Sequence, residues 1–164
     1  MPSRRKTREF VLQVLFAADA QSADPLEFLS FLQDHFLVDD EQVLRLDRVM
    51  KDFARRLLTT VAENKDAIDD LISRQSHNWK IYRMNKVDRN ILRMAIAELI
   101  EFPDIPPSVT MNEAIDLGKR YGAEQSAAFV NGILDQVCSI KTARSSGLKL
   151  KDILESLDES DTTD

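Results

Sequence analysis

Residues 84–102 read MNKVDRNILRMAIAELIEF, and this run decides the fold. Val87, Ile91, Leu92, Met94, Ala95, Ile96, Leu99 and Ile100 recur at the three- and four-residue spacing that lines one side of an α-helix. Pro103, Pro106 and Pro107 stop the helix, because proline lacks the amide proton and clashes with the preceding turn. This is the strongest helical signal in the chain.

The flanking sequence supplies those helices. From Arg5 to Ala20 a stripe of Phe10, Val11, Val14, Leu15 and Ala18 points inward, leaving Phe16 towards the opposite face with Leu12. Asp24-Pro25 is an N-cap followed by proline, and opens a second stripe of Leu26, Phe28, Leu29, Leu32 and Phe36. Asp39-Asp40 starts a third, with Val43, Leu46, Val49, Met50, Phe53, Leu57, Leu58 and Val61 inward. A break at Asn64 or Lys65 precedes a fourth, and His77-Asn78-Trp79 reads as a loop or helix end. Beyond the prolines, Ser108 caps a helix ending at Tyr121-Gly122, with Gly122 as the residue after its last turn. The last core helix spans residues 123–140, where Gly132 is expected to admit a neighbouring backbone. A tail helix over 148–157 carries Leu150, Ile153, Leu154 and Leu157. No alternating strand pattern and no repeat occurs, so the fold class is all-α.

The chain has 164 residues, 43% hydrophobic and 30% charged, which suits a globular protein with its own core. One cysteine, Cys138, excludes an internal disulfide framework and a cysteine zinc cluster. No apolar run is long enough to span a membrane, and the basic start lacks the apolar stretch of a secretory signal, so a soluble cytoplasmic protein is expected. The net charge of −6 conceals an asymmetry: residues 1–8 hold Arg4, Arg5, Lys6 and Arg8 and no acid. A basic arm on an acidic body is a layout for capturing an anionic polymer.

Catalytic chemistry is missing. The two histidines, His35 and His77, have no sequence partners that form a triad, and Cys138 reads as a small hydrophobe. Gly118-Lys119 is not a phosphate loop, and Glu113 with Asp116 reads as a solvated pair on one helix side. No metal-ligand spacing occurs, so neither an enzyme nor a cofactor is expected.

Three stretches, covering about residues 3–140, resemble the transcription antitermination factor NusB family. They are Arg4-Arg5-Lys6-Thr7-Arg8-Glu9 through Gln13-Val14-Leu15-Phe16; Val87-Asp88-Arg89-Asn90-Ile91-Leu92-Arg93-Met94-Ala95 with Glu98-Leu99; and Asp104-Ile105-Pro106-Pro107-Ser108-Val109 with Asn112-Glu113-Ala114 and Tyr121-Gly122, continued by Phe129-Val130-Asn131-Gly132-Ile133-Leu134-Asp135. The resemblance implies a seven-helix protein of two packed three-helix bundles over residues 1–140. It also implies binding of the single-stranded boxA element in leader RNA of ribosomal operons, together with NusE, a small-subunit ribosomal protein. The pair would then act in the RNA polymerase antitermination complex. Some members self-associate, so a homodimer is an alternative state. Residues 141–164 form a charged extension beyond the family's usual end, expected to be partly disordered.

On this resemblance the RNA-binding residues are Arg4, Arg5, Lys6 and Arg8, placed where a disordered arm runs into the first helix, with Phe16, Gln125 and Phe129. Phe16 stands where the family often has tyrosine; it either stacks on a base or packs with Leu12 against a neighbouring helix. Phe129 has the same two readings. Many relatives carry Asp at the position of Gln125 and a basic residue at or next to Ala128, so this chain lacks one repulsive and one attractive charge, each worth about 1 kcal/mol or less if exposed. The NusE face falls on the central helix, including Asp88 and Glu98, whose charge suits a basic protein.

Overall fold

The computed structural model describes residues 3–35, 48–77 and 79–143. Helix α1 (Arg4–Ala20) starts on Ser3, whose hydroxyl accepts from the Lys6 amide at 3.3 Å. Arg4, Arg5, Lys6 and Arg8 therefore sit in helical turns, which corrects the expectation of a disordered arm; the cap satisfies amides that a frayed start would leave open. Helix α2 (Pro25–His35) begins as expected on Asp24, whose Oδ1 accepts from the Leu26 and Glu27 amides at 2.9 and 3.2 Å.

Helix α3 (Arg48–Gln75) contains the expected break at Asn64, with φ −122° and ψ 17°. The Asn64 side-chain amide donates back to the Thr60 carbonyl at 2.9 Å, a local bond that competes with the helical ladder. Counting the two arms of α3 separately, seven α-helical segments are described. Val49 is exposed rather than inward, because it lies in the first turn of α3, ahead of the buried run that starts at Phe53. A 3₁₀ turn, Ile81–Arg83, leads into α4 (Lys86–Glu101), whose N-cap Asn85 accepts from the Val87 amide at 2.8 Å.

Helix α5 (Pro107–Tyr121) opens with proline in its first turn and makes no side-chain cap, so Ser108 is already helical and does not cap. Helix α6 is Ser126–Ala143. Helices α1, α2 and α3 pack on one another, α4, α5 and α6 likewise, and α4 also packs on α1 and α3. No strand occurs among the described residues. The core runs through Leu57, Leu58, Ile68, Leu71, Ile91, Leu92, Ile96, Leu117 and Leu134. The expected tail helix over 148–157 lies outside the described residues.

Two glycines explain how closely α5 and α6 approach, and neither is the expected one. A Cβ on Gly118 would stand 3.3 Å from the Ala127 backbone, and one on Gly122 would stand 2.4 Å from Ser126. A Cβ on Gly132 would meet open space, so the expected close contact there is corrected; Gly132 faces away from the bundle.

The central motif residues Arg89, Asn90 and Arg93 turn inward to build a charged network. Arg89 binds Asp19 through Nε and Nη2 at 2.6 and 2.8 Å, and Asn90 donates to the same carboxylate at 2.8 Å. Arg93 bridges Asp19 at 3.2 Å and grips Asp69 at 2.7 and 2.8 Å. Burial alone pushes the Asp19 carboxyl up, but bonds from Arg89 and Asn90 and the two guanidinium charges outweigh it and hold it below the ordinary 3.8. This network ties α1, α3 and α4 together.

Candidate nucleic-acid interface

The first turn of α1 presents three exposed cations. The Arg5 guanidinium makes a two-point contact with Glu113 of α5 at 3.1 and 3.2 Å, which aims its long side chain while leaving it in solvent. The Arg4 guanidinium lies 5.6 Å from the centre of the Phe53 ring, and Lys6 is exposed. Glu113 is thus an anchor for Arg5, not one of a free carboxylate pair; Asp116 pairs instead with Arg120 at 2.9 Å.

Arg8 behaves differently from its neighbours. It is 5% exposed, and its Nε donates to Glu98 Oε1 at 2.7 Å; Glu98 itself is 2% exposed. Neither charge is presented outward, so Arg8 as an RNA-facing cation and Glu98 as a partner-facing acid are both corrected. Charges this deep are tolerated only in pairs, and each neutralises the other. Asp88 is buried too, with Oδ1 sealed from solvent and without a hydrogen-bond partner, at the N-terminal turn of α4 where the helix dipole favours a carboxylate. The two acids expected to face a partner, Asp88 and Glu98, are thus 8% and 2% exposed.

Further along the α1–α5 seam lies an apolar groove of about 320 Å³, lined by Glu9, Leu12, Gln13, Phe16, Val87 and Tyr121. Phe16 is 40% and Tyr121 47% exposed, so Phe16 offers a ring surface to the groove rather than packing away beneath a helix. Leu12, expected beside it on the outer face, is buried and forms part of the groove wall. Arg120 reaches across the seam to Glu9 and lies over the Tyr121 ring at 5.3 Å.

At the start of α6, Gln125 and Ala128 are exposed and Phe129 is half-buried. Phe129 meets Trp79 edge-on, with ring centres 6.1 Å apart and planes at 64°. Trp79 and Tyr82 are 53% and 67% exposed. The sequence reading assigned no function to Tyr121, Trp79 or Tyr82; Trp79 and Tyr82 alternate with Lys80 and Arg83, whereas Arg120 beside Tyr121 is held by Glu9 and Asp116. Among the described residues no group of side chains could hold a metal ion, and no helix is long and apolar enough to cross a membrane. Cations for phosphates, open rings for bases and an apolar groove between them suit a single-stranded polyanion.

A family model described as the NusB family matches residues 5–139. The transcription antitermination protein NusB of Geotalea daltonii is 47% identical over 139 residues, covering 85% of this chain and 96% of the relative. Among solved structures, NusB of T. maritima is 40% identical with a TM-score of 0.73, over 84% of this chain and 92% of that one. A chain in a crystal structure of the antitermination factors NusB and NusE in complex with dsRNA is 26% identical with a TM-score of 0.70, over 83% of this chain and 96% of that one.

Proposed function

The chain belongs to the NusB family, and from that membership we propose that it is a non-enzymatic, RNA-binding transcription antitermination factor acting in the cytoplasm. Its RNA is the boxA element of ribosomal operon leaders, bound together with NusE, and the complex supports elongation by RNA polymerase through those operons. The relatives' names and the NusB–NusE–RNA structure support the general reading. The observation that carries it for this chain is the α1–α5 seam. There the exposed Arg4, Arg5 and Lys6 lead to a groove bearing the open rings of Phe16 and Tyr121.

The cations take phosphates without regard to sequence, and Arg5 is aimed in advance by Glu113, so less side-chain freedom is lost on binding. The rings of Phe16 and Phe129 take unstacked bases, while Gln125 offers an amide to a base edge. Residues 1–140 act as one RNA-binding unit. The buried positions of Arg8, Asp88 and Glu98 make them its scaffold.

Titration of labelled boxA RNA with and without NusE, over a salt series, tests the proposal. Three phosphate contacts from Arg4, Arg5 and Lys6 give a log–log salt slope of roughly −2 for a single strand. Preference for boxA over scrambled RNA and a gain with NusE are expected. Absent or salt-insensitive binding, even with NusE, overturns it.

A further inference from the structure

Residues 79–86, Trp-Lys-Ile-Tyr-Arg-Met-Asn-Lys, hold three cations and no acid. A three-residue spacing divides them: Ile81 and Met84 turn inward, while Trp79, Lys80, Tyr82 and Arg83 turn outward, followed by exposed Lys86. Among the described residues, Lys80, Arg83 and Lys86 make no ion pair; the Arg83 guanidinium rests 5.9 Å from the centre of the Tyr82 ring.

The turn is rigidly held from below. The Trp79 carbonyl accepts from the Ser73 hydroxyl at 3.2 Å, and the Trp79 amide donates to the Ser76 carbonyl at 3.3 Å. Arg89, fixed by Asp19, extends Nη1 to the carbonyls of Ile81 and Tyr82 at 3.3 and 3.4 Å. Two large rings thus stand in solvent on an ordered turn, with cations between them.

We propose that Trp79, Lys80, Tyr82, Arg83 and Lys86 form a second single-stranded RNA platform that continues the binding track past Phe129. The inference rests on the RNA-binding reading above and extends it to nucleotides flanking the core element. Phe129 and Trp79 are in ring contact, so a strand leaving Phe129 meets Trp79 next. The two rings take successive bases, which is tolerant of sequence because every base has a π-face, and the cations take the phosphates between them. A basic protein such as NusE would meet like charge here, so charge complementarity favours RNA.

Trp79 is the chain's one tryptophan, so its fluorescence reports on this site alone. The full chain with NusE is titrated with boxA RNA and with versions lengthened at either end. Lengthening at one end is expected to tighten binding and to quench Trp79 emission beyond the change that core RNA produces at the adjoining Phe129 ring. Trp79→Ala weakens the lengthened RNA roughly tenfold, within the range of base–aromatic stacking, and Trp79→Phe restores most of the loss. Changing Lys80, Arg83 and Lys86 together to Gln flattens the salt slope by about 2. If boxA binds but neither lengthening nor these variants alter affinity or emission, the platform is wrong and the core site stands. If no RNA binds even with NusE, the RNA-binding reading fails and the platform with it.

Discussion

Arg8 and Glu98 close a 2.7 Å ion pair between α1 and α4, with both side chains almost wholly out of solvent. Arg8 Nη2 is buried there without a hydrogen-bond partner. Removing one member of such a pair strands the other charge in the core. Arg8→Ala is therefore expected to destabilise the fold by about 3–5 kcal/mol, read as a shifted denaturant midpoint. RNA affinity per folded molecule should change little; a stable Arg8→Ala protein with a lost salt-dependent contact would return Arg8 to the RNA face.

Replacing Arg4, Arg5 and Lys6 together by Gln should do the reverse. Among the described residues the one ion pair lost is the solvent-screened contact between Arg5 and Glu113, so the fold gives up little. The salt slope of RNA binding should flatten by about 2 while thermal stability holds. Unchanged binding would remove the first turn of α1 from the interface.

Acid sensitivity should trace to Asp19. Its carboxyl titrates lower in the folded chain than in the unfolded one, so its contribution is fully present above the ordinary 3.8 and lost as pH falls through the folded value. Chemical denaturation at neutral pH and near pH 3 should show a stability loss in the native chain. In Asp19→Asn, already weaker at neutral pH, that loss should be smaller; an equal loss would place the acid-sensitive group elsewhere.

The glycines of α5 and α6 should respond with opposite signs. Gly132→Ala fills open space and removes a helix-interior glycine, giving roughly 0.5–1 kcal/mol of added stability. Gly118→Ala brings a Cβ within 3.3 Å of the Ala127 backbone, which no side-chain rotation relieves, so the helices must part at a cost of about 1 kcal/mol or more. Thermal melts of the two variants decide it, and a stabilised Gly118→Ala would show that the α5–α6 contact is softer than its geometry.

The helices were legible because their signals are local. The stripe over 84–102, the Asp24-Pro25 cap and the kink at Asn64 each depend on residues a few positions apart. The inward turn of Arg8 was not legible, because its partner Glu98 lies ninety positions further along the chain. Glycine roles were misread for a similar reason: Gly118 and Gly132 both sit within helices, and only the position of α6 against α5 distinguishes them. The first-turn cations stand out by charge and Phe16 by its angle off the buried stripe, while the stacking role given to Phe16 comes from the family resemblance alone. Trp79 and Tyr82 could not, since an aromatic residue near a helix end looks the same in sequence whether it faces a core or water.

Arg89 grips the turn before α4 by its main-chain oxygens, at Ile81 and Tyr82, and by none of its side chains. The scaffold is consequently indifferent to which outward residues the turn carries. Lys80, Tyr82 and Arg83 could be exchanged for other types with the backbone path intact, while Trp79 also carries the ring contact with Phe129. The turn is in that sense a replaceable read-head on a fixed mount. On the proposed platform, RNA affinity would then be tuned by selection or by design without reopening the question of how the protein folds.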